Sequence, residues 1–461
     1  MNKITKILSF CLAVYGYGIL GAHAATYNAA NCGNSAIQSA INSAADGDTV
    51  LVPSGTCTWS GTVSIPASKG IALVGAGIDA TVINGGNLIL STAVDKRPSR
   101  ITGFTFNFSV EGSEASFLTI NPEMKAQSNN WRIDNCKFVY QRTGWYEAAI
   151  WIKGWTFGLI DHCIFKGTPR GIMVEATNIN IDNSGSYGDF SWSQEIDLGT
   201  PKTGNLPRAV YVENCIFDEP KSAGDQAIES RFGARYVFRY NKVNGYQVNT
   251  HSGCTNGNRG PVQAEVYNNT FDYKNYYNAI WLRTVGTALI HSNIIKGGYS
   301  VGIEISQEES CKGCIGIYSN APFTFYPMKD NLGRIPPNQT LAPLYGWSNT
   351  LDGNPTKIGY RSGYYCSAID SMVQENRDYY NIAAGIELPV SCNPKQAYFK
   401  TNEGPQGILY QCSAPNNWTK YYSPYLYPHP LSSGSYSFSY NQDNLNNQDN
   451  ISAPSSLKIL N

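Results

Sequence analysis

Three observations along the 461 residues predict an all-β protein: a right-handed parallel β-helix (solenoid) with an N-terminal capping helix and an irregular C-terminal region. A six-residue pattern of apolar, polar, Asn-like, Cys-like, any and apolar positions returns about every 26 residues. A second pattern, "AIWIK" at 149–153 and "AIWLR" at 279–283, keeps step with it. Between them run short alternating segments broken by Gly and Asn, with no helical periodicity.

The chain opens with Lys3 and Lys6, an apolar run from Ile7 to Leu20, and small Ala22 and Ala24. This is the pattern of a bacterial-type secretory signal peptide cut ahead of Ala25, so residues 1–24 are expected to be removed and the protein exported to the periplasm or beyond. A transmembrane anchor needs a longer apolar run and a stop signal, so none is expected. Bulky Phe10 before Cys11 argues against lipid attachment. With 34 basic and 34 acidic residues, no basic face points to nucleic acid. Twelve cysteines less Cys11 leave an odd number, so in an oxidising compartment some pair and at least one stays reduced.

The first pattern reads "IDNCKF" at 133–138, "IDHCIF" at 160–165, "IDNSGS" at 181–186, "VENCIF" at 212–217, "FRYNKV" at 238–243, "VYNNTF" at 266–271 and "IHSNII" at 290–295, with "ITGFTF" at 101–106 as an earlier member. Five such steps separate the two Ala-Ile-Trp copies. A period of this length means a solenoid. Leucine-rich repeats need several leucines per repeat and a helical back, and here the inward positions are Ile, Val and Phe. Each rung is therefore two or three short strands, stacked about 4.8 Å from the next, so equivalent side chains form columns along the axis. Cys136, Cys163 and Cys215 fall on one column as buried, reduced residues, continued by Asn241, Asn269 and Asn293.

The stretch "AIQSAINSAADGDTVLVPSGTCTWSGTVSI" (36–65) resembles the entry segment of pectate-lyase-like β-helix proteins: an amphipathic helix plugging the coil, Gly-Asp-Thr-Val, then a strand ending in Pro-x-Gly-Thr. The resemblance extends over residues 27–385 and implies the fold. Its members include lyases, hydrolases, epimerases and inert adhesins, so it leaves the chemistry open. Cys32 and Cys57 bracket the cap and are the first choice for a disulfide. The β-helix with its cap is assigned to 25–385. A hairpin stapled by Cys392 and Cys412 and a proline-rich run fill 386–432, and the Ser/Asn-rich tail 433–461 is expected to be disordered. "CKGC" at 311–314 has no second ligand pair at zinc spacing, which favours a structural disulfide over a redox or zinc site.

"AIWIK", "GIMVE" (171–175), "AIESR" (227–231), "QVNTH" (247–251), "AIWLR" and "GIEIS" (302–306) superpose without gaps. Third positions form an outward column Trp151, Met173, Glu229, Asn249, Trp281, Glu304; fifth positions form Lys153, Glu175, Arg231, His251, Arg283, Ser306. "EIDLG" is expected to fill a missing rung with Asp197 facing out. Arg231, His251 and Arg283 then occupy consecutive rungs, and stacked cations repel by about 1 kcal/mol per close pair in water. Glu229 or an anionic ligand relieves that, and Trp151 and Trp281, with Trp145, Trp155 and Trp192, offer flat faces to sugar rings. A cationic centre with aromatic platforms suits an acidic polysaccharide.

Cleavage of a uronic-acid chain by β-elimination needs the carboxylate neutralised and the α-proton removed. Arg231 and Arg283 fit the first role, His251 the second, and Tyr246 donates to the leaving oxygen. Glu229 orients His251 or, with Asp197 and Glu304, holds Ca²⁺, a common cofactor in the group resembled. Lys153, Glu175 and Asn249 join Trp151, Trp281 and Tyr246 as substrate contacts, with Arg235, Arg259 and Glu265 behind them. Asp134, Asp161, Asp182 and Glu213 form a carboxylate column that pairs with nearby Lys and Arg or binds Ca²⁺. The expectation is thus an exported, monomeric polysaccharide lyase. A non-catalytic glycan-binding surface or matrix protein is the first alternative. A glycoside hydrolase is the second, set back because the aspartate strings of β-helix hydrolases are missing.

Overall fold

The computed structural model describes residues 24–433 apart from 94, 110–114, 123–127, 143–146, 177–190, 192–194, 202–206, 223, 252–259, 273–277, 284, 299–300, 307–341 and 361–373, together with the backbone of 436–438 and 457–459. Residues 1–23 of the expected signal peptide, Trp145, Trp192, Asp182, Arg259, "CKGC" and Cys366 lie outside the described residues. Within 433–461 the backbone of Tyr436–Phe438 pairs antiparallel with Leu457–Ile459.

The chain is a right-handed parallel β-helix with three walls. Among the described residues, wall A has twelve strands from Thr26–Asn28 to Tyr379–Asn381, wall B eleven from Gly55–Thr58 to Asn354–Thr356, and wall C ten from Thr62–Ile65 to Ile358–Tyr360. Each strand pairs in parallel with those one turn before and after, save the antiparallel last strand of wall B. The six-residue pattern straddles walls A and B. Ile101, Ile133, Ile160, Val212, Phe238, Val266 and Ile290 are in register and fully buried, one column of the core.

Between walls A and B the chain turns through the left-handed region at Asn135, His162, Asn214, Tyr240, Asn268 and Ser292, with φ from 49 to 57°. The next residue turns inward, where its side chain meets backbone groups that the bend leaves over. Cys136, Cys163 and Cys215 are buried and reduced, as expected, and the Cys163 thiol faces the Ile133 carbonyl at 3.6 Å. Asparagine does more: Asn241 Nδ2 donates to Asn269 Oδ1 at 3.1 Å, Asn269 to Asn293 at 3.0 Å, and Asn293 to Asn349 at 2.9 Å.

Thr156–Asp161 pairs directly with Val210–Glu213, and Arg170–Glu175 directly with Gln226–Arg231. Four steps, not five, separate the Ala-Ile-Trp copies, and no rung divides Asp161 from Glu213; residues 181–186 lie outside the described residues.

The capping helix is Asn34–Ser43, with Ile37 and Ile41 fully buried on the first coil. Gln38 hooks it to wall C, accepting from Ser64 N at 2.8 Å and donating to Ser64 O at 3.1 Å. Lys69 Nζ donates to the carbonyls of Ile41 and Ala44, offsetting the negative end of the helix dipole. Cys32–Cys57 and Cys392–Cys412 are both disulfides. The second staples a four-stranded sheet of Ala383–Gly385, Ala397–Lys400, Ile408–Ala414 and Asn417–Tyr422.

From Tyr422 the chain doubles back as a strap over the outer face of wall A. Tyr422 Oη donates to Glu265 at 2.6 Å, Arg239 donates to the carbonyls of Tyr425 and Leu426, His429 N donates to Glu213 at 3.0 Å, and Arg132 donates to the Leu431 carbonyl at 3.2 Å.

Candidate functional site

Wall C carries the two columns in the expected register. Trp151, Met173, Glu229, Asn249, Trp281 and Glu304 are consecutive Cα partners. Lys153, Glu175 and Arg231 are partners too, and the column runs on past the strand ends. His251 N donates to Ser230 O at 2.8 Å, Arg283 N to Thr250 Oγ1 at 2.8 Å, and Ser306 N to Leu282 O at 3.0 Å. Arg231, His251 and Arg283 therefore leave consecutive rungs of one wall, and His251 is partly exposed.

Glu229 is the centre of the cluster. It is fully buried and pairs with Arg170 at 2.5 Å. Burial pushes its carboxyl up, but the charges of Arg170, His251, Arg231 and Arg283 together outweigh that, and its pKa falls below the ordinary glutamate value. One carboxylate thus meets four nitrogen bases. Arg231 is held by Glu175 through Nε, with its guanidinium 5.9 Å from the Trp151 ring centre. Arg283 donates from Nε to Asn249 Oδ1 at 3.1 Å and lies 4.4 Å over the Trp281 ring, whose Nε1 donates to Ser306 Oγ at 2.7 Å. Among the described residues, the buried polar atoms that find no hydrogen-bond partner include Trp151 Nε1, Glu229 Oε1 and Asn249 Nδ2 of the first column. Such atoms are costly to bury.

Arg170 was not anticipated. Its signal was present: the residue before "GIMVE" opens the same strand and faces outward one position earlier in the register, opposite Ala148 and Gln226.

Several expected site residues lie elsewhere. Tyr246 is fully buried in the core, edge-on to Phe217, its hydroxyl donating to Asp218 O and accepting from Thr168 N. It cannot serve a leaving group. Trp151 is 3% exposed, packed on Ala148 and Met173 with Lys153 Nζ 3.8 Å over its ring, so its face is already taken. Trp281 keeps partial exposure. Trp155 is in the core.

Asp197 fills no rung of wall C. It sits against wall A, its backbone N–H donating to Gln263 Oε1 at 2.9 Å and its carboxylate accepting from Arg208 N. Arg235 and Glu265 are wall A residues as well. Glu229 and Glu304 stand three rungs apart, about 14 Å. The three carboxylates named for Ca²⁺ do not converge, and among the described residues no cluster of three or more His, Cys, Asp or Glu is placed to hold a metal. The Asp134, Asp161, Glu213 column is paired instead, with Arg100, Arg132 and Arg239.

No family model and no curated protein matches the chain. Among solved structures it is similar to an alginate lyase from Paenibacillus sp. str. FPU-7, at 12% identity and a TM-score of 0.40, over 73% of this chain and 98% of that one. It is also similar to ORF18 of Geobacillus virus E2, at 12% identity and a TM-score of 0.30, over 86% of this chain and 76% of that one. Neither likeness bears on the chemistry.

Proposed function

We propose that this chain is an exported, monomeric protein that binds an acidic polysaccharide along wall C and cleaves it by β-elimination. The observation that carries this reading is the placement of Arg231, His251 and Arg283 on consecutive rungs around one buried, ionised glutamate. Arg283, braced on Trp281 and Asn249, meets the uronate carboxylate and stabilises the charge that grows as the α-carbon loses its proton. His251 takes that proton. The carbon–oxygen bond to the next sugar then breaks, the departing oxygen takes a proton from water, and the new double bond leaves an unsaturated, ultraviolet-absorbing end. Arg231, anchored by Glu175, is a second cation for the same carboxylate or its neighbour. Two disulfides are compatible with export, and among the described residues no helix is long and apolar enough to cross a membrane.

Hydrolysis is less well supported. It needs two carboxylates roughly 5 to 9.5 Å apart, whereas Glu229 and Glu304 are about 14 Å apart and Asp197 is on another wall. One observation favours pure glycan binding: Arg231 and Arg170 are already bound to Glu175 and Glu229, as in a rigid recognition surface.

The test is to incubate the protein with pectate, alginate and chondroitin, each with and without Ca²⁺, and to follow absorbance of unsaturated ends. Product on one substrate, lost in His251→Ala and Arg283→Ala, supports the lyase. Binding without product on every substrate overturns the eliminase and leaves the binding module.

A further inference from the structure

At the N-terminal end of wall C, four successive rungs line a groove of about 490 Å³ that includes Thr62, Asn87, Ile89, Ser116, Thr119 and Lys153. Its chemistry differs from that of the cluster. Lys153 is the one charged side chain among the lining residues, and it stands at the inner end with its amine over Trp151. The rest of the lining is hydroxyl, amide and backbone around an apolar strip at Ile89. Ser116 Oγ and Thr119 Oγ1 lie 2.9 Å apart, a hydroxyl pair that both donates and accepts. Hydroxyl and amide groups ringed about an apolar strip match a pyranose, whose edge is hydroxyls and whose face is C–H. A carboxylate would meet a single cation there, against the three stacked beyond.

The groove and the cluster belong to one line of register. Thr119, Trp151, Met173 and Glu229 are consecutive partners, so Thr119 in the groove lies three rungs, about 14 Å, from Glu229 at the centre of the cluster. Lys153 heads the column that continues as Glu175 and Arg231.

Resting on the function proposed above, we infer that this groove is a distal subsite for an uncharged hexose unit. The preferred ligand is then a heteropolysaccharide in which uronic units are spaced by neutral ones, not a homouronan. Titration calorimetry tests this with three probes of similar length: an oligosaccharide with one glucuronate per four sugars, an oligogalacturonate, and an uncharged hexose oligomer. Thr119→Trp fills the groove from a partly exposed position, and Asn87→Ala trims its exposed rim. The mixed oligomer should bind about tenfold tighter than the homouronate, equal to about 1.4 kcal/mol. Thr119→Trp should erase that advantage and Asn87→Ala reduce it, while homouronate binding stays within about twofold. Arg283→Ala should weaken both acidic probes. Binding of the neutral oligomer alone, lost in Thr119→Trp, supports the subsite and overturns the acidic cluster. Equal losses for mixed and uniform probes in Thr119→Trp, or no advantage for the mixed one, overturn the subsite.

Discussion

Glu213 on wall A and Glu229 on wall C are both fully buried glutamates paired with an arginine, yet their carboxyls shift in opposite directions. Burial drives both up. At Glu213 the charge of Arg239 does not overcome it, and the pKa stays above the ordinary value. At Glu229 the charges of Arg170, Arg231 and Arg283, with His251 beside them, do overcome it. The surroundings differ as well. Beyond their own pair, Glu213 and Arg239 bond to the strap at His429 N, Tyr425 O and Leu426 O and to Tyr267 Oη of wall A, whereas Glu229 keeps one oxygen without a partner. A column of arginines and carboxylates is thus no sign of function in a β-helix. Both walls have one, and what separates them is whether the chain itself closes the valences.

Cutting one pair on each wall gives the largest contrast. Glu213→Ala strands Arg239 in a sealed place and should cost about 3 to 5 kcal/mol, a melting-point drop on the order of 10 °C, with glycan binding per folded molecule unchanged. Glu175→Ala frees Arg231 beside the partly exposed His251, and should alter glycan binding more than stability. If the two variants behave alike, the walls are equivalent and the site assignment falls.

Removing the Cys392–Cys412 bond as a double serine variant should cost about 3 kcal/mol, from the entropy of a loop of 20 residues' separation. That loss belongs to the strap's side of the molecule and should leave Arg283-dependent binding intact. Arg283→Ala reverses the pattern. About a 100-fold loss of turnover, near 2.7 kcal/mol, should come with little change in melting temperature.

The smallest effect is in pH. His429 in the strap and His291 beneath the C-terminal sheet are pushed down by burial, each to about 3 from 6.5. They stay neutral in the fold, so their contribution is complete above pH 6.5 and is lost as pH falls towards 3. Glu265, which holds Tyr422 and Gly199 N, is pushed up by burial to about 7 from 4.5. Its contribution is complete below pH 4.5 and fades as pH rises through 7. Melting temperature should therefore climb from pH 3 to 4.5 and then rise about half as steeply towards 6.5, since one glutamate offsets one of two histidines, and Glu265→Gln should restore the full slope. A profile with no bend near 4.5, or a bend unmoved in that variant, would count against this account.

Most of the fold was legible because a repeat reports itself many times: an inward Ile or Val, a left-handed turn residue and a Cys or Asn recur at each rung. Register along wall C was legible for the same reason. Where the period broke, legibility failed. "EIDLG" imitates a strand by alternation, but Asp197 ends against Gln263 on wall A. Tyr246 sits just before a strand whose pairing shifts by one residue between Gln226 and Ile228, so counting back from "QVNTH" misjudges which way it points. Trp151 faces outward as its parity says, but parity does not report what Lys153 and Met173 do to its faces. The strap was invisible because its anchors, such as Arg132 to Leu431, span 299 residues with no local pattern.

That span changes the kind of object the molecule is. A stack whose coils touch only their neighbours melts piecemeal, each coil adding its own term and fraying from either end. Here the strap ties Glu265 to Arg132 across intervening coils, so no coil under it can open alone without releasing the whole brace. The central body should therefore exchange its amide hydrogens as one block rather than as a gradient, and a chain stopped before Tyr422 should revert to the gradient.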